Sequence, residues 1–518
     1  MIATAHAQVV AQSVFSVVDP ITLLLAAIVL IATSWVMANY GPTSNYRNGK
    51  KLPPRPPVLP IIGNLHMIWS RTPWTDMVNI AKKYGNVYRM QLGTKEVIVL
   101  NGYDEIKQAL LRQQEHFSER PVNIQTEILE HTGRGTLHSK GARWHEQRKF
   151  TQKLVRDFGW GKTEEFQKVI ESEIQIVMKE LIDGRRGTPV DPNTLFQHAV
   201  CNIQCTFVYG QRFEYTDKAA VDYFEALNGF STDTNPAGVM TLLPYLTRIP
   251  WGPTRRVLDH IFNARKFAGN QIDKKRALRK QLGSKYKPAL KSYIDCYLDE
   301  IQKKAERPEL DFNDESVIIS VLDIFFGNQT VGDVLAWTIL MMVKHPDVQK
   351  KVQGELDRIV GRDREPTVAD RASLHYIEAV LLECIRIRPI SPFGIPHMTS
   401  EDTSLFGYHI PGQTYILTNF WSVQGDPKFW PNPKDFRPER NIDENGIFEQ
   451  QSHVYLPFGI GPRSCLGQQL ARMELFLFFT TLLHHYTFTS SGDTKDLNQP
   501  ICMTQIMPFY VNAEKRKD

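Results

Sequence analysis

The sequence predicts a mainly α protein with a minor β part, preceded by a single N-terminal transmembrane helix. Three observations predict it: a charge-free apolar run near the N-terminus, a pair of alternating segments soon after it, and helical periodicity over most of residues 140 to 390. The chain has 518 residues, 42% of them apolar and 10% aromatic, and no low-complexity linker divides it. One large catalytic body behind an anchor is the simplest organisation.

Residues 21–38 (ITLLLAAIVLIATSWVMA) carry no charge and approach the roughly 20 apolar residues that span a bilayer core. Arg47, Lys50, Lys51 and Arg55 follow the run, so the positive-inside rule places the rest of the chain in the cytosol. A cleaved signal peptide fits less well, because its apolar core is shorter and its leading region positive. Pro53, Pro54, Pro56, Pro57 and Pro60 come next; each locks φ and removes a donor, so they read as a stiff, extended connector. The expected organisation is an anchor over residues 1–45, a basic, proline-rich connector over 46–62 and a catalytic domain over 63–518.

In the body, NVYRMQL and KEVIVLN flank Gly93-Thr94 with strand alternation and read as a hairpin. Helical spacing then dominates, as in FQKVIESEIQIVMKELI. The run from Val317 to Val343 is introduced by Asn313-Asp314-Glu315-Ser316 and stopped at His345-Pro346. It contains Asp323, Gln329 and Asp333, which are costly in lipid, so it reads as a helix buried in protein. From about 393 to 460 the chain is rich in proline and glycine, with short strand-like pieces such as TYILTNF.

The 61 basic residues exceed the 56 acidic ones by only five, which gives no support to a nucleic-acid partner. Six cysteines lack the spacing of a disulfide framework or a zinc site and read as reduced thiols. Cys201 and Cys205 share a helix face in an apolar setting and read as packing residues.

Cys465 is different. It lies in Phe458-Gly-Ile-Gly-Pro-Arg-Ser-Cys-Leu-Gly467, directly before the helical run that begins LGQQLARMELF. A helix N-terminus offers partial positive charge and unpaired N–H groups, which lower a thiol's pKa and donate to sulfur. Glycines let amides approach closely. Phe458 can shield the sulfur, and Arg463 can reach a carboxylate at the edge of a flat cofactor.

Phe458, Gly461, Arg463, Cys465 and Gly467 resemble the haem-binding signature of the cytochrome P450 family. Trp144 to Arg148 (WxxxR), Glu383 to Arg386 (ExxR) and Phe436 to Arg440 (FRPER) occur in the family's order, so the resemblance covers nearly everything after residue 50. It implies the cytochrome P450 fold and haem b, with Cys465 as axial thiolate and metal ligand, a ligation that favours O–O cleavage. It implies that Phe458 and Arg463 bind the cofactor, and that Trp144, Arg148 and His397 meet its propionates. Glu383, Arg386 and Arg440 would form a buried ion network bracing the cysteine loop. Among animal microsomal members, DRASLHYIEAVLLECIRIRP, VYLPFGIGPRSCLGQQLARMELFLFF and ERPVNIQTEILEHTGRG look most like the group of steroid 17-alpha-hydroxylase and the aryl-hydrocarbon hydroxylases. The implied activity is monooxygenation of an apolar substrate, a steroid, other lipid or xenobiotic. Electrons would come from NADPH through NADPH-cytochrome P450 reductase, with cytochrome b5 as a further candidate donor. The implied location is the endoplasmic reticulum membrane.

The distal helix departs from the family pattern. Phe326-Gly327-Asn328-Gln329-Thr330 stands where a small residue, Gly, any residue, an acid and Thr are usual. Thr330 keeps the catalytic role by its spacing from the KHP turn. Gln329, the other candidate catalytic residue, can position water but cannot act as a general acid near neutral pH. Phe326 brings a ring where room for substrate is usual. A haem-thiolate isomerase or dehydratase that needs no external electrons is therefore the alternative activity, and a non-catalytic haem sensor a third. Lys140, Arg143, Lys149, Lys153, Arg463 and Arg472 fall on segments expected to form a basic face for the reductase. The substrate pocket is expected from the loop after Pro121, the region from Phe224 to Val239, Ile390 to Gly394 and the turn near Met503.

Overall fold

The computed structural model describes residues 46–121, 133–157, 164–182, 188–229, 252–288, 291–450, 453–492 and 509–516, together with part of a helix between 22 and 36. The expected anchor lies largely outside the described residues; positions 24 to 30 are helical and exposed. Pro308–Lys344 is, among the described residues, the one stretch long and apolar enough to cross a membrane. Most of it is buried in the body, as its polar residues require.

The fold is mainly helical with small sheets. Helix α1 (Pro73–Tyr84) leads into strands β1 (Val87–Leu92) and β2 (Lys95–Leu100), the expected hairpin about Gly93-Thr94. The helical part comprises a short α2 (Gly135–His138), α3 (Gly141–Asp157), α4 (Glu164–Ile176), α5 (Pro192–Tyr209), α6 (Gly252–Leu282), α7 (Tyr293–Lys303), α8 (Asp314–Lys344), α9 (Pro346–Ile359) and α10 (His375–Ile387). Strands β3 (His397–Met398) and β4 (Tyr415–Thr418) follow, then α11 (Gln468–His485), β5 (Tyr486–Ser490) and β6 (Val511–Lys515).

Helix α8 begins as its sequence suggests, with the Asn313 side chain accepting from the Ser316 N–H at 2.9 Å, a cap that satisfies one orphan donor. It ends at Lys344 because Pro346 cannot continue the ladder. Its flanks pack against α5, α11 and α10 in the largest apolar core. At Gly332 the α5 crossing is so close that a Cβ would stand 3.0 Å from the Gln197 Cα and N.

The larger sheet has the order β1-β2-β4-β3. The β2–β4 pairing is parallel and aligns Val97 with Tyr415. The β5–β6 pair is a second, antiparallel sheet. The proline segment has no regular structure from Leu52 to Val58 and turns at Pro60, and it does not stand off the body. The Arg89 N–H donates to the Pro54 carbonyl and the Arg89 Nε to that of Pro53, both at 2.9 Å, and Asn64 donates to the Pro57 carbonyl at 2.7 Å.

Candidate active site

The loop before α11 is shaped by glycine where it must be. Gly461 has φ +81°, and a Cβ there would meet the Leu110 carbonyl oxygen at 2.0 Å, so no other residue fits without moving backbone. The Cys465 N–H donates to the Phe458 carbonyl at 2.9 Å, and the Gly467 N–H points at the sulfur. Arg472 lies over the Phe458 ring, 5.3 Å from its centroid.

The sequence leads one to expect a depressed Cys465 pKa, and here the structure differs. Cys465 has accessible surface yet is set deep among protein atoms, as a residue lining a recess is. Burial disfavours the thiolate and raises the pKa, outweighing the Gly467 N–H and the Arg148 charge.

Around this loop the structure gathers Trp144, Arg148, His397 and Arg463, the residues singled out for cofactor binding. Arg148 donates to the Ser464 carbonyl at 2.6 Å. Arg463 stacks on Trp144, 3.8 Å from guanidinium carbon to ring centroid. It donates to the carbonyls of Ser118 at 2.9 Å and Ser139 at 2.7 Å, and more weakly to those of Thr136 and Leu137. That inward orientation removes Arg463 from the expected basic face. Arg143 is also drawn in, lying 3.9 Å from Asp311, whereas Lys149 and Lys153 are exposed. His397 is buried, with Nδ1 2.8 Å from the Phe117 carbonyl, and burial holds its pKa well below the usual range.

Two members of the cluster were not singled out from sequence. Arg120 is buried and donates to the carbonyls of Ile395 and Pro396 at 2.6 and 2.8 Å. His138 has its pKa lowered to about 4 by burial and then by Arg120 and Arg463. Arg120 sits in the ERPVNIQ stretch, but its burial beside other arginines was not legible there.

Burial first, and neighbouring guanidinium charge second, lower Arg120 to about 9 and Arg463 to about 8; burial lowers Arg148 to about 10. Among the described residues, Arg120 Nε, Trp144 Nε1, His138 Nδ1 and Ser118 Oγ are buried without a hydrogen-bond partner. Crowded cations and unspent donors suit a bound dianion. The two carboxylates of haem supply that charge, and the accessible Cys465 sulfur supplies a ligand, so the residues fit the group.

Helix α2 ties this cluster to α8. The N–H groups of Thr136 and Leu137 donate to Asp323 on α8 at 2.6 and 3.1 Å, while their carbonyls accept from Arg463. Burial, partly offset by these donors, raises Asp323 to about 7. Phe326 and Thr330, four apart and so on one face, are half-exposed and partly buried, whereas Gln329 is buried with Nε2 unpartnered among the described residues. The Thr330 hydroxyl donates to the Gly327 carbonyl at 2.7 Å. Ile390 to Gly394 is described; residues 122–132, 230–239 and Met503, also expected in the pocket, lie outside the described residues.

The Glu383 network forms as expected. Arg386 donates to both carboxylate oxygens at 2.7 and 2.8 Å, and Arg440 to one at 3.0 Å. All three side chains are buried.

A mainly helical body with an accessible cysteine loop beside buried arginines defines a haem-thiolate protein. The chain belongs to the cytochrome P450 family, whose match covers residues 53–512. It is 34% identical over 491 residues to human (Homo sapiens) cytochrome P450 2J2, covering 94% of each chain. It is 36% identical over 448 residues to Bos taurus cytochrome P450 2D14, covering 85% of this chain and 87% of that one. It is 33% identical over 466 residues to Rattus norvegicus cytochrome P450 2C11, covering 89% and 91%. These names place the likeness in family 2 of the cytochromes P450. The enzyme is a cytochrome P450 monooxygenase with a haem-thiolate cofactor.

Proposed function

We propose that Cys465 is the axial ligand and that the enzyme inserts one oxygen atom of O2 into an apolar substrate, a steroid, other lipid or xenobiotic. The observation that carries this reading is the accessible Cys465 sulfur set beside Arg120, Arg148 and Arg463, with α2 linking Arg463 to α8. Haem, when bound, would supply reductive activation of O2 for this insertion, with the second oxygen atom leaving as water. Trp144, Arg148, His397 and Arg463 would hold its propionates, and Phe458 would shield the sulfur. Thr330 passes protons towards the reacting oxygen; Gln329 positions water; Phe326 narrows the substrate space.

Electrons come from NADPH through NADPH-cytochrome P450 reductase, with cytochrome b5 as a second donor. Residues 1–45 anchor the chain in the endoplasmic reticulum membrane, leaving the catalytic body cytosolic. The charge-free run 21–38 and the basic residues after it support this placement.

The test is a screen of steroids, fatty acids and polyaromatics with the full chain, reductase and NADPH. NADPH-dependent product is expected, and reduced, carbon-monoxide-bound protein should show the red-shifted Soret band of thiolate ligation, lost in Cys465→Ser. Product from a hydroperoxide without NADPH, unaltered by Thr330→Ala, would replace this reading with an isomerase.

A further inference from the structure

The crossing of α5 and α8 is apolar except for a polar layer that leaves several of its atoms unspent. Asp333 is wholly buried, and Gln197 Nε2 donates to its Oδ1 at 2.9 Å. The Asp333 Oδ2 has no hydrogen-bond partner among the described residues, nor have Gln329 Nε2 or either side-chain polar atom of Asn328. Burying such atoms unpaired is costly, so a layer built only for stability would contain apolar residues. Asp333 and Gln329 lie four apart on α8 with Cβ atoms about 6 Å apart. An acceptor on one and a donor on the other suit a single bridging water.

We infer that Asp333 is a positioning residue for proton delivery, acting through a water on Gln329 and the Thr330 hydroxyl in place of the acid missing at position 329. This rests on the proposed role of Thr330. The Asp333 carboxyl gives its proton to the water, the water gives one to Thr330 Oγ, and Thr330 turns its hydroxyl from the Gly327 carbonyl, to which it donates at 2.7 Å, and releases its own proton into the recess. Asp333, left as carboxylate, regains a proton from solvent through water held by Gln197 and the half-buried Asn193, whose side chains lie 3.4 Å apart. No electrons move. Gly332 makes the arrangement possible, since its missing side chain lets Gln197 lie against α8. Arg388 is the charged group facing Asp333, and its guanidinium lies 4.9 Å from the Trp337 ring centroid. Burial outweighs Gln197 and Arg388 and raises the carboxyl to about 7, so it holds a proton that it can release near neutrality.

The experiment uses the full, haem-loaded chain with reductase and NADPH, reading the share of electrons that reach product rather than peroxide from about pH 6 to about pH 9. Wild-type coupling is expected to fall as pH rises through about 7. Asp333→Asn, which keeps an acceptor for Gln197, should slow product formation by about 10²-fold, lower coupling and flatten the profile. Adding Gln329→Glu to it should restore coupling by returning an acid to position 329, while the flattened profile of the single variant is what a merely structural role would not give. Without turnover, infrared difference spectra should show protonated carboxyls near neutrality, and Asp333→Asn should remove one component while leaving that of Asp323. Should Asp333→Asn fail to fold, Gln197→Leu keeps the test open, because losing a donor to the carboxylate should move the coupling midpoint upward and losing the reprotonation water should slow turnover. Wild-type coupling in Asp333→Asn while Thr330→Ala uncouples, or a carboxyl band that Asp333→Asn leaves unchanged, overturns the relay. If Thr330→Ala leaves coupling unchanged, the threonine's role and the relay through it both fall.

Discussion

At the scale of single residues, the arginines beside the cysteine loop work against one another until something negative arrives. Arg120 is depressed by burial and by Arg148, and it in turn depresses His138, His397 and Arg463. A dianion relieves these repulsions together, so each guanidinium contributes more to cofactor retention than its own hydrogen bonds indicate. Arg120→Met should release haem faster, with a loss of about 1.5–3 kcal/mol, the range for a charge-assisted bond. Transfer of haem to an excess of apomyoglobin measures this. A release rate equal to wild type would remove Arg120 from the retaining set. The sequence offered Cys465, Trp144, Arg148 and Arg463 because their motifs are local. Arg120 and the rise in the Cys465 pKa depend on burial among distant segments, which local pattern does not encode.

At the scale of elements, α8 owes its boundaries to local chemistry, the Asn313 cap and the stop at Pro346, and both were legible. The hairpin was legible for the same reason, through its alternation about Gly93-Thr94. One local reading stopped short. The segment FQKVIESEIQIVMKELI is helical to Ile176 and then widens into a π-helical turn over Val177–Ile182, which helical spacing alone does not distinguish. The Gln197–Asp333 link was not legible, since it depends on which faces of α5 and α8 meet. The Glu383 network joins α10 to the FRPER turn through fully desolvated charge. Glu383→Ala leaves two buried guanidiniums without a carboxylate and should cost about 3–5 kcal/mol, the range for breaking a buried pair. The midpoint of chemical denaturation of the haem-loaded enzyme measures it, and a loss under about 1 kcal/mol would mean that solvent reaches the site.

At the scale of the whole molecule, membrane attachment and electron entry are separate tests. Removal of residues 1–45 should release much of the protein from membranes while leaving haem content intact, because the cysteine loop and its arginines all come later in the chain. Carbonate extraction of both forms measures it; equal resistance would place the main anchor elsewhere. For electron entry, the exposed Lys149 and Lys153 are better candidates than the inward-turned Arg463. Reversing both charges should slow reduction by the reductase several-fold at low salt. The difference should shrink as salt shortens the Debye length below about 8 Å. Unchanged reduction rates would move the docking face away from α3.

The parallel pairing of β2 with β4 also dictates an order of events during synthesis. Val97 leaves the ribosome long before its partner Tyr415 exists, so for most of translation one edge of the β1–β2 hairpin has no strand beside it. Unpaired edges invite pairing with other chains, and contacts so distant in sequence form late. The nascent chain therefore depends on something to cover that edge until the C-terminal third emerges. Hydrogen exchange on stalled nascent chains should find β2 weakly protected until residue 418 has cleared the exit tunnel and strongly protected afterwards. Substitutions in the Tyr415–Thr418 strand that weaken the pairing should then lower the yield of folded enzyme more than they lower the stability of molecules that have already folded.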